Sequence, residues 1–242
     1  MARLRFALLH RSLRKSLLTR SHRPFRRRIA LAVTAWIGAC ATSGPALADG
    51  EAPGTFAFYV LALSWAPSYC RDAGRDASPR ECGPHTGYGF VVHGLWPQNE
   101  HGYPAFCPTT LPDHVPKTLA ERMTDLTPDV ALIEHEWRKH GTCTGLDQQA
   151  YFALVRKARA NVAIPRAFAS PAPARSADPA NVEAAFRMAN PGLPSTGIAV
   201  TCRNARLSEV RICLTWSLAF RACPEVDANG CNTSRLRLPA AD

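Results

Sequence analysis

Eight cysteines lie downstream of residue 48, and they restrict what this chain can fold into more than any other feature: Cys70, Cys82, Cys107, Cys143, Cys202, Cys213, Cys223 and Cys231. An even set of thiols in an oxidising compartment closes into disulfides, whereas in a reducing one it points to metal binding or redox chemistry. A cysteine-zinc site is disfavoured because no two cysteines stand in C-x-x-C spacing. Four disulfides are therefore expected. Roughly a hundred pairings are open to eight cysteines, and counting does not choose among them.

The segment before them indicates how the chain would reach such a compartment. Residues 1–48 hold ten Lys or Arg and no Asp or Glu. The basic stretch ends at Arg26-Arg27-Arg28, and the apolar run IALAVTAWIGAC that follows is short for a bilayer span. Ala46-Leu47-Ala48 then fits the small-x-small rule for signal-peptide cleavage. Residues 1–48 are expected to be a removed signal peptide, leaving 49–242 as a single periplasmic or secreted domain. A competing route is a lipid anchor at Cys40, because Ile37-Gly38-Ala39-Cys40 resembles a bacterial lipoprotein box. The formal charge of +10 (29 basic, 19 acidic) also belongs to the leader. Taking its ten basic residues from 29 leaves 19 against 19, so a polyanion would have to be held by a few placed groups.

Along 49–242 the signals are mixed. Strands are expected at Thr55–Trp65, at Gly89–Leu95 (stopped by Pro97), and in GIAVTC and LSEVRICLTW. Helices are expected from Pro116, from Asp129 to a stop at Gly141, over 146–162, and in VEAAFRMAN before Pro191. Residues 71–88 and the Pro-rich stretch around 100–115 read as loops, and the insertion SPAPARSADPA (170–180) as irregular. With no internal repeat and no βαβ alternation, the fold class is α+β: one domain with a central, mostly antiparallel sheet packed by several helices.

The segment HEWRKHGTC (His135–Cys143) carries the densest chemistry. A zincin helix places two histidines four residues apart, about 40° from each other around the axis. His135 and His140 are five apart, about 140°, which suits shared metal ligation poorly. Taking His135 as zero, Lys139 falls at about 40°, Glu136 at about 100° and His140 at about 140°. Trp137, at about 200°, is turned away. Such an arc suits proton transfer and stabilisation of an anion. Opening a phosphodiester with a neighbouring hydroxyl needs a base and an acid on opposite sides. The second histidine must then come from elsewhere, and VVHGLWPQ supplies His93 at the end of an apolar strand, with Trp96 three residues on.

Together, FVVHGLWPQ (Phe90–Gln98) and HEWRKHGTC closely resemble the two active-site signatures of the ribonuclease T2 family, in the right order and each nearly unbroken. The likeness runs from about Thr55 to Cys231. It implies a secreted or periplasmic α+β endoribonuclease that cuts single-stranded RNA through 2′,3′-cyclic phosphate ends. It also implies no cofactor or metal, low base specificity, no cleavage of DNA, and a monomer. By the resemblance, His93 and His140 form the acid–base pair. Glu136 and Lys139 stabilise the pentacoordinate phosphorane, His135 binds phosphate, and Trp96 stacks on a base. Gln98 stands where some relatives have an acidic base-reading residue. The resemblance further implies the pairs Cys70–Cys82, Cys107–Cys143, Cys202–Cys231 and Cys213–Cys223. The competing class is a relative that binds RNA or another partner without cutting it; such a copy would usually have lost one of His93, Glu136, Lys139 and His140, and all four are present.

Overall fold

The computed structural model describes residues 51–169 and 173–241. The expected signal peptide and Cys40 lie outside the described residues.

The sheet is built on β1 (Phe58–Trp65), whose run of aromatic and aliphatic residues suits a strand buried on both faces. Tyr59, Leu61, Leu63 and Trp65 face the main core. Phe58 and Val60 face a smaller cluster with Ala199, Cys213, Cys223 and Val226. Antiparallel neighbours flank β1: β2 (Phe90–Gln98) on one side and β5 (Arg206–Leu214) on the other. Two strands in turn pair with β5: β4 (Ile198–Arg203) antiparallel, and β6 (Leu236–Leu238) through one parallel bridge. The short β3 (Arg175–Ala177) completes the sheet against β6.

The helices are α1 (Ala66–Ala73), α2 (Pro79–Cys82), α3 (Lys117–Glu121), α4 (Val130–Lys139), α5 (Gln148–Ala160), α6 (Pro179–Ala189) and α7 (Pro224–Ala228). α5 lays Tyr151, Phe152, Val155 and Ala158 into the main core. Asp129, Asp147 and Asp178 cap α4, α5 and α6 by accepting from the backbone N–H two or three residues on. The fold is α+β, and the four disulfides join the pairs that the resemblance implied.

Several expected boundaries move. β2 continues through Pro97 to Gln98, because it is an edge strand and can do without one outward N–H. Residues 71–88 are not all loop: α1 grows straight out of β1 with Pro67 in its first turn, and α2 is pinned to it by Cys70–Cys82. In the insertion, Arg175–Ala177 is strand and Pro179 opens α6. Local composition hid this, since the partner of β3 lies some 60 residues further on. Among the described residues, no helix is long and apolar enough to cross a membrane.

Candidate active site

His93 owes its direction to a β-bulge. Ala62 of β1 is opposite Gly94 and Leu63 is opposite Val92, which leaves His93 without a partner. The bulge is held from outside the sheet. Val92 donates its N–H to the Leu126 carbonyl (2.8 Å), and Thr127 Oγ1 donates to the Val92 carbonyl (2.8 Å). A second bulge lies in β5, where Thr201 faces Glu209 and Cys202 faces Leu207, leaving Ser208 over. His93 of β2 and Glu209 of β5 meet across β1 on the same side of the sheet, Nδ1 to Oε1 at 2.5 Å.

Beside β2, at the edge of the sheet, lies α4. Ile133 and Trp137 anchor it in the core, and Trp137 Nε1 donates to the Pro112 carbonyl. The arc expected from the helical wheel faces a cleft of about 360 Å³: His135, Glu136, Lys139 and His140 line it together with His93 and Trp96. His140 is the C-cap of α4 rather than a residue within it. The last carbonyls of the helix are satisfied locally, that of Arg138 by Thr142 Oγ1 and that of Lys139 by the Phe106 N–H. The second of these bonds, with Cys107–Cys143, ties the loop after β2 to the end of α4. Glu136 lies directly over Gly94. A Cβ there would stand 2.8 Å from Glu136 Cδ and 2.5 Å from Trp96 Nε1, so only glycine allows this approach.

The two histidines sit in opposite electrostatic surroundings. Burial by itself would lower the His93 pKa. The Glu209 hydrogen bond and the charges of Glu209 and Glu136 outweigh burial and the opposing Arg211, so it stands above the usual 6.5. His93 Nε2 is 3.5 Å from Glu136 Oε1. Glu209 is buried, which favours its neutral form, but His93 and Arg211 hold its pKa below the usual carboxylate range. Arg211 Nε donates to Glu209 Oε2 at 2.9 Å. His140 is the reverse case. Burial first, then the charges of Lys139, His93 and His135, push its pKa down to about 2. Among the described residues, its buried Nδ1 has no hydrogen-bond partner. Burial also raises Glu136 to about 7, against His93, the hydrogen bond from Trp96 and Lys139. His135 is lowered by burial, Lys139 and Arg138.

Trp96 is engaged within the site. Its Nε1 donates to Glu136 Oε2 (2.7 Å), its ring stacks on His140 (5.2 Å, 27°), and the Arg211 guanidinium lies 5.2 Å from its centroid. Gln98 is buried and donates to the Gly102 carbonyl, so it shapes the loop that carries Tyr103. Tyr103 itself is exposed, 6.1 Å from the His140 ring. Among the described residues, no group of three or more His, Cys, Asp or Glu is arranged to hold a metal ion.

Sequence reasoning did not single out Glu209, Arg211, Gly94 or Tyr103. A signal for two of them existed. In LSEVRICLTW, Glu209 and Arg211 alternate with Val210 and Ile212, and a charged pair on one face of an otherwise apolar strand has to meet partners there.

Comparison with known proteins identifies relatives of this chain. The profile of the ribonuclease T2 family matches residues 56–223, a span that holds every cleft residue named so far. A ribonuclease of Aeromonas hydrophila is 35% identical over 173 residues, covering 69% of this chain and 75% of its own. Among solved structures, an RNase-related protein from Calystegia sepium shares the fold with a TM-score of 0.60, at 18% identity over 77% of this chain and 98% of that one. RNase NT in complex with 5′-AMP gives a TM-score of 0.56, at 22% identity over 77% and 99%. With its two signature segments facing each other across one cleft and the family profile running through both, the chain belongs to the ribonuclease T2 family and is a ribonuclease.

Proposed function

We propose that the enzyme cuts single-stranded RNA by metal-independent acid–base transesterification, with His140 as base and His93 as acid. The observation that carries this assignment is that the two rings line one cleft in opposite surroundings: the carboxylates of Glu209 and Glu136 beside His93 favour its protonated form, and burial beside Lys139 favours the neutral form of His140. With Nδ1 of His140 buried, Nε2 is the nitrogen left to take the proton from the ribose 2′-hydroxyl. The O2′–P bond forms and the P–O5′ bond breaks. His93 gives its proton to the leaving 5′-oxygen, and a 2′,3′-cyclic phosphate remains. In the hydrolytic step the roles reverse: His93 takes the proton from water and His140 returns one to the 2′-oxygen.

Lys139 and Glu136 stabilise the phosphorane, Lys139 through its charge and Glu136, near neutrality in pKa, by exchanging a hydrogen bond with its equatorial oxygens. His135 supports the phosphate from the rim. Trp96 and the exposed Tyr103 give π-faces to the bases, which every base can use, so selectivity is low. DNA, which lacks the nucleophilic hydroxyl, is not cleaved. The four disulfides suit work in the periplasm or outside the cell, either free after cleavage at Ala48 or anchored at Cys40.

The test is to incubate the mature enzyme with a short RNA in excess EDTA and to identify the product ends, with His140→Ala run beside it. Cyclic phosphate ends that persist in EDTA and vanish in the variant are expected. Loss of activity in EDTA, or intact RNA over a broad pH range, would refute the mechanism.

A further inference from the structure

We propose that Arg203, Arg206 and Arg237 form a second anion site, one that holds a phosphate of the RNA chain several nucleotides from the cut. The residues 49–242 carry balanced charge, so attraction for a polyanion has to be local, and here three arginines converge. Arg203 and Arg206 are directly paired across the β4–β5 ladder, and Arg206 is the bridge partner of Arg237 in β6. Their neighbours Leu207, Leu236 and Leu238 enter the main core, and Cys202 packs against it. By strand alternation the three arginines stand on the opposite face of the sheet, the face that carries Glu209 and Arg211.

The arrangement is built and also electrostatically unfavourable. Asn204 and Ala205 form a two-residue hairpin turn with φ of 51° and 56°, left-handed at both positions, and this tight turn sets the flanking arginines side by side. Arg237 reinforces the turn: its N–H donates to the Ala205 carbonyl (2.9 Å) and its Nη2 to the Asn204 carbonyl (2.7 Å). Like charges on neighbouring strands repel. Asp72 of α1 pairs with Arg206. Among the described residues, Arg203 and Arg237 are exposed and have no carboxylate partner. A bound phosphate is the chemistry that completes such a cluster.

Reach fits the same occupant. Arg206 is three residues from Glu209 along β5, about 10 Å. At ~3.4 Å per stacked nucleotide, a chain entering the cleft arrives there after about three nucleotides. The inference rests on RNA being the cleft substrate, and its test separates the two ideas.

The experiment compares cleavage of a dinucleoside monophosphate and of an oligoadenylate long enough to span both sites, in wild type and in the double variant Arg203→Gln/Arg237→Gln. Dinucleotide cleavage should match wild type in the variant, which also serves as the folding control. On the oligonucleotide, kcat/KM should fall about tenfold at low salt. The slope of log kcat/KM against log salt should flatten by about 0.7, the value for one phosphate contact on a single strand. Equal losses on both substrates, or none on either, would overturn the second site. Failure of wild type to cleave either substrate would instead overturn the cleavage reading.

Discussion

Replacing Gly94 with alanine should disable the site while leaving the fold intact. The added Cβ would lie 2.8 Å from Glu136 Cδ and 2.5 Å from Trp96 Nε1, and closer still to Glu136 Oε2. Ordinary carbon contacts need about 3.5–4.0 Å, so the carboxylate has to retreat by about 1 Å. Its hydrogen bond with Trp96 and its approach to His93 are disturbed together, because both depend on that one position. A misplacement of about 1 Å in a catalytic arrangement typically costs about a hundredfold in rate, and kcat should drop by that order. Overpacking by one methyl should cost about 2 kcal/mol. At roughly 2–4 °C per kcal/mol for a chain of this size, Tm falls by about 4–8 °C. The assay is single-turnover cleavage well below the variant's Tm, with Tm followed by calorimetry. If kcat stays within a few-fold of wild type, Glu136 is not held against β2 for catalysis and the geometric argument fails.

Three further outcomes follow from the same site. Glu209→Gln removes the charge that holds the His93 pKa up, so the alkaline limb of the kcat/KM profile should move to lower pH; an unmoved limb would mean that His93 is not the group titrating there. The His140 pKa is depressed in the folded state, so its contribution to stability is fully present above pH 6.5 and is lost as pH falls towards about 2. His140→Gln should therefore flatten the stability–pH curve below 6.5, by at most about 1.4 kcal/mol per pH unit, as read by urea denaturation at several pH values. Replacing both Cys107 and Cys143 with serine opens a loop of sequence separation 36. This should cost about 4 kcal/mol of stability. Because the bridge also holds the loop after β2 on α4, kcat measured far below the variant's Tm should fall too; an unchanged kcat would make the bridge purely structural.

Which parts of the site could be read in the sequence depends on whether the information was local. The α4 arc is local: 3.6 residues per turn already separate His135, Glu136, Lys139 and His140 from Trp137, and the cleft lining follows that division. The capping aspartates and Pro179 at the start of α6 are equally local. β3 is not, because Arg175–Ala177 becomes strand only when Leu236–Leu238 offers an edge. The same holds for β2 beyond Pro97, where being at the sheet edge overrides a residue that would break a central strand.

The partner of His93 was hidden for a related reason. A bulge is a property of two strands in register, and neither VVHGLWPQ nor LSEVRICLTW announces by itself that a residue will be left over. Yet the bulges at His93 and Ser208 decide which side chains share the cleft face. A one-residue slip in a strand exchanges its faces. Were the same sequence paired without a bulge, the segment before Gly94 would meet β1 in the opposite phase, and Val92 would point where His93 now meets Glu209. The Leu126 carbonyl and Thr127 hydroxyl clamp the Val92 backbone at that place, and Asp129 caps α4 only two residues later. One short connection therefore sets both the phase of β2 and the start of the helix that carries His140. The relative placement of the two histidines is thus set largely by hydrogen bonds of residues that touch no substrate.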